Sequence, residues 1–311
     1  NLSIFICNQK EIPISRSGYW KFRWRSSRPS GDLKKSHPEG KKNKGDLRYL
    51  YPLPPPACVL RPNIHVPQIL TLKDRLKKIE ESGINIVIIE KFSLRFSRKT
   101  AQEFFDEIIL KNLKTKILYV GYNFFFGKDR QGDVAFLKKQ TKKNKIEFHM
   151  VSPFRKENEI ISSTKIRTLI LGGEVKKAAL FLGRPYSLKG TVVHGEGRGL
   201  KLGIPTANIK TDAELIPMEG VYVTQTELNN QLYPSVTSIG CAVTFSKNAP
   251  FSIETHILDF ISGRPLYGKP LTIHFLDRIR DIQKFDSAKA LISNIQQDIQ
   301  IAKKIFKNRF T

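Results

Sequence analysis

Three short runs hold the residue types that chemistry on a phosphate would need. Gly195, Gly197 and Gly199 alternate around Arg198, a turn whose backbone N–H groups can approach phosphate oxygens while a guanidinium binds them. Alone, such an alternation reads equally well as an ordinary glycine-rich β-turn. Pro205-Thr206-Ala207-Asn208 follows, and its hydroxyl and amide carbonyl, two residues apart, share one side of an extended chain. These are hard oxygen donors suited to Mg2+ carried by a nucleotide. Glu254, in Ile253-Glu254-Thr255-His256, sets a carboxylate in an otherwise apolar strand, where it can take the proton from an attacking hydroxyl.

Two earlier runs carry a second set of candidates. Val120 to Lys128, with Arg130 and Gly132-Asp133 beyond it, follows a predicted strand; Asn123, Phe124, Phe126 and Arg130 there could hold a planar ring, although adjacent phenylalanines also suit a core. Ser162-Ser163-Thr164 with Lys165 and Arg167 opens a helix. The plain reading is a capped N-terminus, and the functional one adds a triphosphate at the positive helix end.

The elements that must position these residues fall into two groups. Leu70, Leu72, Leu76 and Ile79 predict a helix that Gly83 stops, and Ile84 to Ile89 reads as a strand buried on both faces. Thr100 with Glu103 forms a capping box before Phe104, Phe105, Ile108 and Ile109. Strand Lys116 to Val120, helix Asp133 to Lys143 and strand Ile146 to Val151 complete a β-α-β-α-β run, which implies a parallel sheet with ligands at the carboxyl ends of its strands. After Gly183 short β-rich runs dominate: Ser187 to Val193, Val221 to Leu228, Gln231 to Ile239, Ile253 to Phe260 and Leu271 to Phe275. Asn229-Asn230 marks a hairpin, and Asp286 caps a last helix carrying Ala290, Leu291, Ile295, Ile299, Ala302 and Phe306 at helical spacing. The second domain is therefore a small antiparallel β-barrel closed by a C-terminal helix.

A chain of 311 residues has room for two cores, and 40% hydrophobic residues with 20 Phe exclude a disordered protein. The net charge of +25 points to nucleic acid, anionic lipid or phosphorylated small molecules as partners. Cys7, Cys58 and Cys241 are odd in number and far apart, which implies free thiols in a reducing compartment, the cytoplasm. No apolar run approaches the ~20 residues of a membrane span. The first residue is not Met and Leu2 to Cys7 lacks a basic flank, so the expectation is a truncated start without a signal peptide. Between Arg16 and Arg48, 11 Lys or Arg face 3 Asp or Glu, 11 − 3 = +8, with Val and Ile absent and Trp20 and Trp24 interleaved. That segment reads either as a nucleic-acid-binding arm or as a solvated tail.

Seven runs in order resemble the riboflavin kinase domain: Gly183-Arg184-Pro185-Tyr186, the turn from Gly195 to Gly199, Leu202 to Asn208, Gly220-Val221-Tyr222, Glu254 to Phe260, Leu266 to Lys269 and Arg278 to Ser287. The resemblance covers about residues 183 to 305. It implies that Thr206 and Asn208 hold Mg-ATP, that Gly195, Gly197, Arg198 and Gly199 bind its phosphates, that Glu254 activates the riboflavin 5'-hydroxyl, and that Arg278 and Arg280 contact flavin. One departure is visible: the family's Asn-Ile-Gly-x-x-Pro-Thr-Phe run stands here as Ser238 to Phe245 with Ser for Asn and Val for Pro. In bacteria that domain is usually fused behind an FMN adenylyltransferase of the Rossmann-like nucleotidyltransferase superfamily. The runs around Asn123 and Ser162 resemble its flavin-binding and ISSTxIR motifs. This implies flavin contacts from Asn123, Phe124, Phe126 and Arg130, and ATP contacts from Ser162, Ser163, Thr164 and Arg167.

That family also carries a first-strand motif, GNFDGVHxGHQ, whose imidazoles stabilise ATP phosphates. No H-x-G-H run is present; His37 and His65 lack the spacing. The basic segment occupies its place. Back-translated and read one base later, Tyr19 to Gly31 permits I-G-N-F-D-G-V-H-R-G-H-Q. The single Trp codon makes Trp20 and Trp24 force both glycines, at the motif's separation. Shifted likewise, Asp46 to Tyr51 permits I-F-V-I-F-T, a buried strand, before Pro52-Leu53-Pro54-Pro55-Pro56 and a recovered frame near Ala57. The expectation is that about residues 17 to 56 are an out-of-frame translation.

The expected architecture is thus an α/β Rossmann-like nucleotidyltransferase domain over 1–182 and a riboflavin kinase-like barrel with its C-terminal helix over 183–311. The expected function is phosphorylation of riboflavin to FMN and adenylylation of FMN to FAD, with ATP and Mg2+, in a cytoplasmic monomer or weak oligomer. The alternatives are a riboflavin kinase alone, a basic nucleic-acid-binding protein, and a non-catalytic flavin binder.

Overall fold

The computed structural model describes residues 4–8, 20–23, 46–241, 251–260 and 265–310. Trp24, His37 and the stretch Ala242 to Phe245 lie outside them. The chain divides into two compact units between Ile160 and Ile161, with Pro67–Ile69 joining the second. The sequence reading puts the functional boundary later, at 182/183. Helices Ser163–Leu171 and Val175–Leu182 join the second unit because Ile166, Leu169, Ile170, Val175, Ala178 and Phe181 share one buried cluster with the barrel residues Tyr186, Leu188, Ile273 and Phe275.

In the first unit, strands β1 (Ile4–Asn8), β2 (Trp20–Arg23), β3 (Asp46–Leu53), β4 (Ile86–Lys91), β5 (Ile117–Gly121) and β6 (Glu147–Val151) form one sheet in the order β2-β4-β3-β1-β5-β6. β5 with β6 is parallel, as the alternating pattern predicts, and β4 also runs parallel to β3, a strand that lies before that pattern begins. β1 departs from that pattern: it runs antiparallel to both β3 and β5 in the centre of the sheet, and β2 is antiparallel to β4 at one edge. β1 satisfies the inner N–H and C=O rows of β3 and β5, which would otherwise face each other unpaired.

Helix Leu72–Glu81 starts at Thr71, whose hydroxyl accepts from the Asp74 amide, and ends before Gly83 at φ +85°. The Thr100–Glu103 capping box is present in both halves, and the helix continues as a π-helical stretch, Phe104–Asn112, that buries Phe104, Phe105, Ile108 and Ile109. Asp133 caps helix Val134–Lys143 by accepting from the Phe136 amide at 2.7 Å. A two-strand hairpin, β7 (Arg155–Lys156) with β8 (Glu159–Ile160), ends the unit.

The second unit is a closed antiparallel barrel of six strands: β9 (Tyr186–Val193), β10 (Ala207–Lys210), β11 (Gly220–Leu228), β12 (Gln231–Cys241), β13 (Phe251–Ile257) and β14 (Pro270–Arg280), in the order β10-β13-β12-β11-β14-β9. The Asn229-Asn230 hairpin has both residues at positive φ, 51° and 63°, as a two-residue turn matched to strand twist requires. Part of the barrel interior is hydroxylic. Thr224 pairs with Ser235 and Thr237, Thr226 with Ser235, and Thr237 with Thr255, all buried at 2.7–2.9 Å. Each buried hydroxyl thus has a partner, which removes the desolvation cost of placing it there.

The C-terminal helix, Ala288–Phe310, lies on the outer barrel wall, with Ala302 and Phe306 buried among Val221, Val223, Val236 and Leu276. Its cap is Ser287, whose hydroxyl accepts from the Ala290 amide, and not the expected Asp286, which stands one residue too early. No described helix is long and apolar enough to cross a membrane.

Candidate active site

Alternation along β13 sends Ile253, Thr255 and Ile257 into the barrel and leaves Ser252, Glu254 and His256 on its outer face. There they line a cavity of about 180 Å³, bordered on its other sides by the segment after β14 and by the C-terminal helix. β10 pairs with β13 through two residue pairs, Ala207 with Thr255 and Asn208 with Glu254. That register brings the predicted Thr206, Asn208 and Glu254 together. The Thr206 hydroxyl donates to one Glu254 oxygen and the Ser252 hydroxyl to the other, both at 3.1 Å. Ser252 was not among the predicted residues; its place two before Glu254 on the same strand face was the available signal.

The glycine turn lies against these residues. A Cβ on Gly195 would stand 2.1 Å from the Asn208 amide nitrogen, and one on Gly199 would stand 2.5 Å from the Ile204 carbonyl and 3.0 Å from the Thr206 hydroxyl. Gly197 adopts φ +67°, and Arg198 begins a short helical turn, Arg198–Lys201. At Gly195 and Gly199, then, the requirement for glycine is close approach.

The two arginine candidates separate. Arg280 lines the cavity with its guanidinium held by Asp298 of the C-terminal helix, Nε to Oδ1 at 3.1 Å and Nη2 to Oδ2 at 2.8 Å, and lies over the Phe285 ring. Arg278 does not line the cavity: it packs on Gly173 and Tyr222 and donates to the Glu219 carbonyl and to Asp281. The strand's alternation is broken there by register shifts between β11 and β14, so spacing alone does not separate the pair. Burial raises the Tyr222 phenol above its ordinary pKa, against the opposing effect of its hydrogen bond with Arg278 and that residue's charge.

In the first unit a shallow pocket opens at the carboxyl ends of β5 and β6, lined by Tyr122, Phe124, Phe125, Asp133, Lys138, Phe148 and Met150 among others. The aromatics of the loop after β5 divide between core and surface. Phe124 and Phe126 are 2% and 5% exposed, with Phe126 packed on Phe104 at 5.0 Å between ring centres. Phe125 and Tyr122 are the exposed rings, and the Arg130 guanidinium lies 4.2 Å from the Phe125 ring centre. Successive residues of an extended loop alternate sides, so Phe124 and Phe126 turn inward together and Phe125 outward. Asn123 and Arg130 are exposed.

Ser162 is the N-cap of helix Ser163–Leu171, its hydroxyl accepting from the Lys165 amide, and Ser163 and Thr164 occupy the first turn. Arg167 donates from Nε to the Pro67 carbonyl at 2.8 Å. These four residues belong to the second unit, and Asn123 to Arg130 to the first.

A carboxylate fixed by two hydroxyls, a Thr-x-Asn pair and a close-packed glycine turn on a six-stranded barrel, in a chain that also carries an α/β unit with a mixed sheet, fit an ATP-using transferase of two domains. Two family models match, FAD synthetase over residues 38–165 and riboflavin kinase over residues 182–306. The bifunctional riboflavin kinase/FMN adenylyltransferase of Listeria monocytogenes is 34% identical over 81% of this chain and 80% of its own. That of Bacillus subtilis is 32% identical over 82% and 81%. A solved structure titled a macrolide-efflux protein, from Streptococcus pneumoniae, matches with a TM-score of 0.77 and 33% identity over 87% of this chain and 88% of that one. The chain belongs to the family of bifunctional riboflavin kinases/FMN adenylyltransferases. Matches to both halves disfavour the kinase-only, nucleic-acid-binding and non-catalytic readings.

Proposed function

We propose that the cavity beside Glu254 is the riboflavin kinase site. The observation that carries this is the contact between Glu254 and Thr206: a base candidate and a nucleotide-binding candidate, 48 residues apart in sequence, meet at 3.1 Å. Ser252 and Thr206 hold the carboxylate in one orientation while each of its oxygens keeps a lone pair for a substrate hydroxyl. In this reading Glu254 takes the proton of the ribityl 5'-hydroxyl as its oxygen bonds to the γ-phosphorus of ATP. The bond from that phosphorus to the bridging oxygen breaks, and ADP leaves with the electron pair. The glycine turn places backbone N–H groups over the phosphates.

Mg2+ fits this donor set. Thr206 and Asn208 offer two hard oxygens, as suits an ion that keeps waters and phosphate ligands. When bound, the ion would neutralise phosphate charge. We place FMN adenylylation in the first domain, with the flavin against Tyr122 and Phe125, and the whole chain in the cytoplasm as a monomer or weak oligomer. Glu254→Gln tests the kinase assignment: FMN formation from riboflavin and ATP is lost with riboflavin affinity retained, and unchanged turnover removes Glu254 from its role.

A second reading concerns residues 17 to 56, which we propose are translated out of frame. Two observations favour it. The FAD synthetase match begins only at residue 38, beyond the place of the first-strand motif. Arg48 is 1% exposed on β3, a strand paired on both sides, where the shifted frame writes Val. The coding DNA decides: codons for Tyr19 to Gly31 that do not spell the motif one base later end the idea. If they do, the frame-restored chain should convert FMN to FAD faster than the present one.

A further inference from the structure

We propose that His256 is a positioning residue of the kinase site, holding the segment that carries Thr206; this rests on the kinase reading above. His256 lines the same cavity as Glu254, two residues along the same strand face. Its Nδ1 lies 2.7 Å from the Pro205 carbonyl oxygen. A carbonyl can only accept, so Nδ1 carries the hydrogen, and in the neutral ring Nε2 does not.

The need for such a bond follows from the ladder beside it. β10 and β13 pair only through Ala207–Thr255 and Asn208–Glu254. Pro205 has no N–H, so the antiparallel ladder cannot gain a donor from it. Its carbonyl can still accept, and the His256 ring donates to it from the other strand, an added side-chain link beside the short ladder. Thr206 is then held on both sides, by the Asn208–Glu254 pair after it and by the His256–Pro205 bond before it. Gly199 packs against the same short stretch, close to the Ile204 carbonyl and the Thr206 hydroxyl, so a displaced Pro205 would also disturb the glycine turn. His256 touches neither reacting group in this scheme; it acts through Thr206 on the nucleotide.

The test compares full-length wild type, His256→Ala and His256→Asn for FMN formation, with riboflavin affinity measured separately by quenching of flavin fluorescence. The Asn side-chain amide can donate to the same carbonyl. His256→Ala is expected to raise the KM for Mg-ATP about tenfold, the loss of one hydrogen bond, with riboflavin affinity within about twofold of wild type. His256→Asn is expected to recover most of it. An unchanged KM for Mg-ATP in His256→Ala overturns the role, as does an Asn variant no better than the Ala one or a parallel loss of riboflavin affinity in both. Wild type that forms no FMN overturns the kinase reading and this role together, whereas an active wild type with an unaffected His256→Ala removes His256 alone.

Discussion

The outer face of the barrel and the loop after β5 both carry residues that point to ligands, yet they hold them differently. On the barrel, Ser252, Glu254 and His256 alternate along one strand and Asn208 pairs across from Glu254, so ladder register sets the distances. In the loop, alternation divides the aromatics between core and solvent, and Phe124 and Phe126 become packing while Phe125 remains exposed. A strand-borne site can lose a polar group without losing its frame. In a loop-borne site, the neighbours of the functional ring are the fold itself.

The sharpest way to break this contrast is Glu254→Ala. Removal of a general base is expected to lower FMN formation by about 10²- to 10⁴-fold, with the thermal midpoint of the barrel close to wild type. A variant that instead unfolds would show that Glu254 serves the ladder, and the contrast would fail. Conversion of supplied FMN to FAD gives an internal control, because the two reactions are assigned to different domains.

In the loop the same kind of experiment should give the opposite result. Phe126→Ala is expected to cost about 3–5 kcal/mol of stability in chemical denaturation, as for a buried aromatic that leaves a cavity. Phe125→Ala should leave stability within about 1 kcal/mol, since the ring is already exposed, and weaken FMN binding as read by fluorescence titration. Equal stability losses from both substitutions would mean that the loop is uniformly structural.

How much of this was legible in the chain depends on the range of the forces involved. The capping box, the helix stop at Gly83, the Asn229-Asn230 turn and the inward alternation of β13 are local, and they form where spacing predicts. Thr206, Asn208 and Glu254 were found as chemistry, but their meeting depends on the pairing of β10 with β13, which no local pattern contains. Arg278 and Arg280 stand two apart in one run, and the long-range partner that holds the second at the cavity, Asp298, lies on a helix 18 residues beyond Arg280. The antiparallel β1 is the clearest difference: Leu2 to Cys7 reads in the sequence only as a short apolar stretch, and hydrophobic pattern carries no strand direction.

A middle-sized effect separates close approach from backbone conformation within the glycine turn. Gly195→Ala places a methyl where the Asn208 amide stands, and is expected to raise the KM for Mg-ATP about tenfold with riboflavin affinity retained. Gly197→Ala meets open space and only the strain of a positive φ, of order 1 kcal/mol, so its KM should change less. The reverse ranking would place the phosphates nearer Gly197 and away from Asn208.

The smallest expected effect tests what the loop after β5 rests on. Gly127 lies so close to Ala101 that an added Cβ would stand 2.7 Å from its amide nitrogen, and the Lys128 amide donates to the Lys99 carbonyl. The loop therefore leans on a helix start that the Thr100 hydroxyl and Glu103 cap reciprocally. Thr100→Ala should cost about 1 kcal/mol at neutral pH. Hydrogen bonds from the Thr100 amide and hydroxyl hold the Glu103 carboxyl below the usual carboxylate range. A depressed folded-state value stabilises the fold above the unfolded-state pKa, and that contribution is lost as pH falls through the folded-state value. The stability gap between wild type and Thr100→Ala should then narrow below about pH 4. FMN binding by Thr100→Ala should weaken along with stability if the loop depends on this cap, whereas no change in the barrel's FMN formation is expected, since the kinase site is assigned to the other unit. A gap that stays constant with pH would assign the cap's effect to the hydroxyl alone and leave the carboxylate out of the loop's support.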